Sequence, residues 1–497
     1  MTRVVAVVGG GTSGLAAARV LAGAAAVSAG CEQSREHQKT APDLEVRVLE
    51  SEDHFGGKVL SGEFRGRSID FGPDNFLTRN PSAADMSDEL GLGGALIAPA
   101  TSSAWVVSRG RLHPMPGGLI LGLPPNLMAL ASSRIVSARG LARASLDLLG
   151  LRRPMTAADL GLPAAGTADG PEWSAGSLLR YRLGRELVER LVDPLLGGIN
   201  AGSTDQLSLA VVAPQVAQAL LGHRSVTRAL GQLARRSRKG PATGGVKPRP
   251  FFLGMTGGLG RIVSALVADL ESRGVELETG TGVTALRRIG DRYELDTPDG
   301  TIVADAVVLA TPGHTSARLL VDDAPAAAAE LGSIPHSSVA LVTLAWIKDE
   351  IPPLPAGSGF LAPRCEGQLV TGCTFLSAKW PGTAQEGEVV LRVSTGRYGD
   401  ERPSALSDEE LVDRVLDELK ELVGISNPPL ESLVQRWPRA FPQYLPGHVR
   451  KIERTRAALA ELPGLKLAGP CLGGIGIPAC LTTGERAAVD ILNWLGE

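Results

Sequence analysis

The chain opens on a short apolar run, Val4 to Val8, which stops at Gly9-Gly10-Gly11-Thr12-Ser13-Gly14 and passes into an Ala- and Leu-rich stretch reaching about Ala26. That order predicts a buried strand, a glycine turn and a helix. A second apolar strand runs from Leu44 to Leu49 and ends in Glu50. Further along, Phe251 to Leu270 reads as a strand end, a Gly-rich turn and a helix, and Val275 to Thr279 with Val283 as strands that rejoin the first sheet. Asp305 to Ala310 is a buried strand stopping at Thr311-Pro312. Leu465 to Leu467 is another, delivering Gly469, Gly473, Gly474 and Gly476 to a helix over about Leu481 to Trp494. The patterns Val339 to Trp346 and Glu388 to Ser394 predict a second sheet. Nowhere do about 18 apolar residues follow one another, so no spanning helix is expected. The first apolar run is too short for a secretory signal.

With 497 residues the chain is long enough for roughly three domains or one large discontinuous enzyme. The 43% hydrophobic content excludes wholesale disorder, and 61 glycines are well above the average of about 7%. The net charge of −3 does not announce a nucleic-acid binder. It hides an asymmetry, because Leu90 to Leu146 holds five arginines and no acid, and Gln206 to Ala268 holds nine cations and no acid. A basic surface on anionic lipid, guidance of an anionic substrate and an ordinary solvated face all fit those windows. The five cysteines match no zinc spacing and suit a reduced, cytoplasmic protein. The seven histidines show no ligand spacing, and no Ser-His-Asp set, metal cluster or Walker loop is visible.

The opening turn carries the first candidate chemistry. Gly9 permits the tight turn, Gly11 lets backbone approach a pyrophosphate, and Gly14 lets helix pack on strand, with the helix N-terminus offsetting phosphate charge. Glu50 is placed to bind the hydroxyls of an adenosine ribose. It lies 36 residues after Gly14, where about 20 is usual, because a polar stretch from Ser28 to Asp43 is inserted. NAD and FAD both use this unit. Gly56-Gly57-Lys58 and Asp70 to Phe76 follow, a glycine pair for close backbone approach and a lysine for phosphate charge.

Seven ordered segments then carry a resemblance: GRLHPMP (110–116), LVDPLLGGINAGSTDQLSL (191–209), MTGGLGRIVSAL (255–266), GTGVTAL (280–286), DAVVLATP (305–312), RWPRAFPQYLPGH (436–448) and GPCLGGIGIPAC (469–480). Together they resemble the flavin amine-oxidase superfamily and, within it, the oxidases that convert porphyrinogens to porphyrins. The pattern is most similar to the bacterial branch acting on coproporphyrinogen III, with protoporphyrinogen IX as the alternative substrate. Asn200 departs from the family's GIYAG form, so contacts of a tyrosine there do not carry over.

The resemblance implies an α/β fold of the amine-oxidase type, with an FAD-binding Rossmann-like domain, a mixed-sheet substrate domain and a helical insertion. The expected segments are 1–76, 250–325 and 430–497 for FAD, 77–89 and 326–429 for substrate, 90–225 for the insertion and 226–249 for a mobile linker. The expected cofactor set is Gly9, Gly10, Gly11, Thr12, Ser13, Gly14, Glu50, Ser51, Gly57, Lys58, Gly72, Pro73, Asp74 and Asn75. Val283 joins it through its backbone to adenine, Trp437 beside the cofactor, and Gly474, Ile475, Gly476 and Ile477 at the flavin edge. Backbone N–H groups at a helix N-terminus stabilise the negative charge of a reduced flavin. Porphyrinogen oxidation removes six electrons, with O2 reduced to H2O2, and the flavin supplies the redox chemistry. No catalytic side chain and no metal are assigned. Arg79 is the candidate for a substrate carboxylate, and Leu195, Leu196 and Ile199 for the ring pocket, with core packing as the alternative for these three. Further expectations are weak peripheral membrane contact at most, and a homodimer, as occurs among related enzymes.

Overall fold

The computed structural model describes residues 2–28, 44–163, 172–238 and 249–496. Its centre is a five-stranded sheet in the order Glu276–Glu278, Leu44–Leu49, Arg3–Val8, Ala306–Leu309 and Leu465–Leu467, with every neighbouring pair parallel. Parallel strands are covered on both faces, and the alternation along the first strand shows how. Val5 and Val7 enter a core with the helices Thr12–Ser28, Gly260–Ser272 and Ile477–Gly496, while Ala6 and Val8 enter another with Leu319, Leu331 and Ile452. An antiparallel three-stranded sheet, Ala285–Ile289, Arg292–Thr297 and Gly300–Ala304, adds Leu286, Tyr293 and Leu295 to the second core.

The second large sheet has seven strands: Glu431–Pro442, His336–Ile347, Glu388–Thr395, Val370–Phe375, Gly359–Leu361, Trp105–Ser108 and Arg111–Pro114. It packs on the helix Asp408–Val423, whose Leu411, Val415 and Leu419 share a core with Val342, Leu391 and Val393. That helix begins at a Ser407/Glu410 capping box and ends at Gly424 in the left-handed conformation. A third core is built from helices between Leu127 and Arg238, with Leu179, Leu191, Leu209 and Leu230 inside.

Three boundaries differ from the sequence expectation. Trp105–Ser108 and Arg111–Pro114, within the expected helical insertion, are strands of the seven-stranded sheet. Glu431–Pro442, within the expected cofactor segment, pairs antiparallel with His336–Ile347 in that same sheet. Val226–Arg238, expected as linker, is a 13-residue helix that buries Val226, Ala229 and Leu230 in the third core. Residues 239–248 of the expected linker, and 29–43 with Cys31 and His37, lie outside the described residues. The charge asymmetry is also smaller in space than along the chain. Arg109 pairs with Glu186, and Arg249 with Asp85 and Asp88, so acids from other segments neutralise part of each window. Of the remaining cysteines, Cys373, Cys471 and Cys480 are buried and Cys365 is exposed.

Candidate functional site

At the C-terminal ends of the parallel strands the glycine turn folds as its spacing requires. Gly9 has φ +104°, and a Cβ on Gly14 would lie 1.8 Å from the Gly9 carbonyl oxygen. A side chain on Gly11 would meet nothing within 4 Å, so this backbone faces open space, as an approaching phosphate requires. Thr12 and Ser13 are buried at the start of the first helix.

Glu50 is buried, and its carboxylate is already engaged. Oε2 accepts from the Gly10 N–H at 2.7 Å, and Oε1 accepts from the Ser51 hydroxyl and the Glu52 N–H at 3.0 Å each. Thr281 N–H donates to the Glu50 carbonyl at 2.8 Å, and Gly282 sits against Ser51. Ser51, Glu50 and the Gly282-Val283 backbone therefore form one end of the site. Next to the turn, Gly56 N–H donates to the Gly10 carbonyl at 2.8 Å, and Gly57 packs on Gly11. Lys58 is half-buried, its ammonium pKa lowered by burial. Among the described residues it has no hydrogen-bonded or ion-paired partner.

Gly72 fits beneath this segment because a Cβ there would be 1.9 Å from the Lys58 carbonyl oxygen. Trp437 lies beside Gly72, with its indole Nε1 donating to the Phe71 carbonyl at 2.8 Å. Pro73 is half-buried between them and Asp74. Asp74 itself is not a free ligand. Its carboxylate accepts from Lys379 Nζ (2.9 Å), Trp380 Nε1 (2.8 Å) and Asn75 Nδ2 (2.6 Å), with Arg392 at 3.3 Å. The side chains of Asp74 and Asn75 thus hold the segment in place, which leaves its backbone for the expected cofactor contact. The cations keep the Asp74 carboxyl far below its ordinary range despite its burial.

The helix Ile477–Gly496 closes the site. Ile475 and Gly476, just before it, donate their N–H groups to no acceptor among the described residues. Gly473 turns the chain there with φ +122°. The Cys480 thiol is buried within reach of the Thr12 and Ser13 hydroxyls and near Lys58, which ties this helix to the glycine turn. Ser82 Oγ and Asn80 Nδ2 donate to the Pro478 carbonyl at 2.9 and 3.4 Å. Arg79, between the cofactor segment and these anchors, is exposed with its guanidinium 6.0 Å from the Phe251 ring centroid.

The expected pocket residues separate. Leu196 is 1% exposed and belongs to the third core, Leu195 is half-buried against it, and Ile199 is 49% exposed. Leu196 therefore packs in the third core. Leu195 and Leu196 lie in a π-type helix, Val188–Gly197, with Pro194 inside, and Ile199 follows it; a proline that cannot donate favours such a widened turn.

The structure also brings together residues that spacing could not relate. His314 and His336 meet edge to face with ring centroids 4.8 Å apart. Burial and the neighbouring cations Arg439, Arg318 and Lys58 push His314 down to about 4, so its imidazole is neutral and resists protonation at neutral pH. No signal along the chain links these residues, one in the helix Gly313–Leu319 and the other at the start of the strand His336–Ile347.

Unpaired amide N–H groups at a long helix N-terminus, a lysine without a partner and an open glycine turn fit an elongated cofactor with a phosphate part and a reducible, anion-forming ring. That combination defines a dinucleotide-binding oxidoreductase. Residues 12–492 match the family described as flavin containing amine oxidoreductase, and the chain belongs to it. It is 34% identical to coproporphyrinogen III oxidase of Bacillus subtilis over 99% of this chain and 98% of that protein. Similarity to protoporphyrinogen oxidase 1 of Arabidopsis thaliana is 26%, over 99% and 88%. A crystal structure of a protein from Exiguobacterium sp. 255-15 superposes with a TM-score of 0.81 at 29% identity, covering 99% of both chains. The fold extends to cyclohexylamine oxidase of Brevibacterium oxydans, TM-score 0.68 at 17% identity over the whole of each chain.

Proposed function

We propose that this flavoprotein oxidises coproporphyrinogen III to coproporphyrin III in heme biosynthesis, with FAD as the flavin. Six electrons and six protons leave the macrocycle while three O2 become three H2O2. Bound FAD would supply the two-electron redox chemistry. The observation that carries the reading is full-length similarity, at 28 to 34% identity, to several bacterial proteins named coproporphyrinogen III oxidase.

The chain's own contributions follow from the site. Gly11 and Lys58 would meet the pyrophosphate, Glu50, Ser51 and the Val283 backbone would hold the adenosine end, and the Ile475 and Gly476 amides would stabilise the reduced flavin ring. Trp437 and Gly72 form a wall beside it. Exposed Arg79 would meet a substrate carboxylate. In this division the five-stranded sheet carries the cofactor and the seven-stranded sheet, with the helical region, carries the substrate.

Aerobic assays of the flavin-loaded protein with coproporphyrinogen III and protoporphyrinogen IX, following porphyrin fluorescence and peroxide, test the reading. Preference for coproporphyrinogen with three peroxides per porphyrin supports it. Preference for protoporphyrinogen selects the second substrate, which the similarity to the Arabidopsis protein favours. Peroxide from simple amines without porphyrin formation would point to an amine oxidase instead, and a yellow protein inert in every assay to a flavin-binding scaffold.

No helix among the described residues is long and apolar enough to cross a membrane. Met128, Leu149 and Leu151 are 81, 60 and 80% exposed, near exposed Arg134 and Arg152. A cytoplasmic protein touching anionic lipid weakly through this face is the proposal. Capture of nearly all the protein by anionic vesicles at physiological salt would contradict it.

A further inference from the structure

Beyond the strand Glu388–Thr395, Gly396 turns the chain with φ +85° so closely that a Cβ would lie 2.6 Å from the Ser338 carbonyl oxygen. The next residues meet the helical region, where Tyr398 N–H donates to the Ala201 carbonyl at 2.8 Å. A cavity of about 430 Å³ opens here, lined by Arg364, Arg397 and Arg402 together with Asp400 and Glu401.

The charges in it are unevenly matched. Arg402 takes the Asp400 carboxylate with Nε at 2.8 Å and Nη2 at 2.7 Å. Arg397, 8% exposed, is left with a long contact of 3.8 Å to Asp400 and a weak bond of 3.4 Å to the Gln368 carbonyl. Arg364 donates through Nη2 to the Tyr398 carbonyl at 3.0 Å. The Nε groups of both arginines are buried with no acceptor, and among the described residues their Nη1 groups meet none. Glu401 is exposed at the rim. A buried guanidinium lacking acceptors is costly, and two planar forks at one cavity match a carboxylate or phosphate.

The position relates the cavity to the proposed reaction. Val339 pairs with Trp437 on one side, and Gly396 packs on Val339 from the other. The cavity therefore begins two strand spacings, about 10 Å, from the tryptophan beside Gly72. A carboxylate on a short arm of a macrocycle lying against Trp437 spans that separation.

We propose that Arg364 and Arg397 form a carboxylate-binding site that anchors a propionate arm of the porphyrinogen. This rests on the function proposed above. The test is equilibrium binding of coproporphyrin III to the flavin-loaded protein by fluorescence quenching, comparing the natural chain with Arg364→Gln, Arg397→Gln and Arg364→Lys. The expected result is affinity weaker by about tenfold or more in the Gln variants, partial recovery in Arg364→Lys, a shallower salt dependence and unchanged flavin content. If Arg397→Gln does not fold, the Arg364 pair decides. A second arm adds millimolar succinate or inorganic phosphate and follows Tm. An anion-dependent rise lost in Arg364→Gln, with porphyrin affinity unchanged, assigns the site to a free anion and overturns the propionate. Equal porphyrin affinity and no anion effect in all proteins overturn the site altogether. A natural chain that binds no porphyrin overturns the functional reading, and the anion arm alone then decides whether the cavity binds carboxylate.

Discussion

Gly484, two turns into the helix Ile477–Gly496, lies against the carbonyl of Ser13, so that a Cβ on Gly484 would come within 2.0 Å of that oxygen. The contact sets the spacing between the helix that follows the glycine turn and the helix whose N-terminus is proposed to face the flavin ring. Gly484→Ala would push the two apart. The expected cost is about 1–3 kcal/mol, typical of overpacking in a filled core, with loss of bound flavin. Thermal unfolding and the flavin-to-protein absorbance ratio check it; an unchanged ratio would show that this spacing does not position the cofactor.

Lys58 brings a half-buried cation to the site with no hydrogen-bonded or ion-paired partner among the described residues. Lys58→Met is expected to weaken flavin binding about tenfold, or about 1.4 kcal/mol. The apoprotein should melt no lower than the natural one, because removing an unpaired buried charge removes its desolvation penalty. A flavin titration beside the apoprotein melting curve separates the two effects, and a destabilised apoprotein would contradict the assignment.

Asp74 and its partners predict the opposite behaviour. Asp74→Asn leaves Lys379 and Arg392 buried without their carboxylate, an expected loss of about 3–5 kcal/mol. Arg392 also donates to the carbonyls of Asp70 and Gly72 at 2.9 and 3.1 Å, so the loss should loosen the segment under Lys58 and weaken flavin binding in parallel. Denaturant unfolding gives the first quantity and flavin titration the second.

Asp70 supplies a pH signature. Burial pushes its carboxyl up to about 6, although Oδ1 accepts from Ser61 Oγ at 2.6 Å and from Leu259 N–H at 2.7 Å. Between about pH 4 and 6 the folded protein holds a proton that the unfolded chain has released, so this group's contribution to stability falls as the pH rises through that window. His314 and His448, held down to about 4 chiefly by burial, act with the reverse sign: their contribution is present above about 6.5 and lost as the pH falls toward 4. Comparing Asp70→Asn with the natural protein isolates the aspartate. The variant should gain relative stability from pH 4 to 7, by about 1.4 kcal/mol per pKa unit. A difference that does not change with pH would refute the shift.

The parallel sheet was legible along the chain because its two central strands are short apolar runs, Val4 to Val8 and Ala306 to Leu309, stopped by glycine or Thr-Pro. Glu431–Pro442 was not, since it opens on polar residues, holds Pro438 and Pro442, and owes its strand character to pairing with His336–Ile347. Val226–Arg238 looked like linker through its arginines, although Val226, Ala229 and Leu230 stand at helical spacing. At the site, Gly14 and Gly56 could be placed from local geometry alone. The occupation of Asp74 could not, because Lys379, Trp380 and Arg392 arrive from more than 300 residues away, and neither could the arginine cavity, where Arg364 joins the segment 397–402 only in the fold.

The strand Arg3–Val8 has a further consequence for synthesis. One of its neighbours, Ala306–Leu309, is made some 300 residues later, and the helix covering the glycine turn later still. A nascent chain therefore carries a strongly apolar strand with one edge unpaired through most of its elongation, the kind of non-local pairing that folds slowly and needs protection from aggregation. A cofactor that bridges the early turn and the late helix would draw the equilibrium toward the closed form by mass action. Flavin supply would then govern how much of this protein a cell accumulates as well as how fast each molecule works.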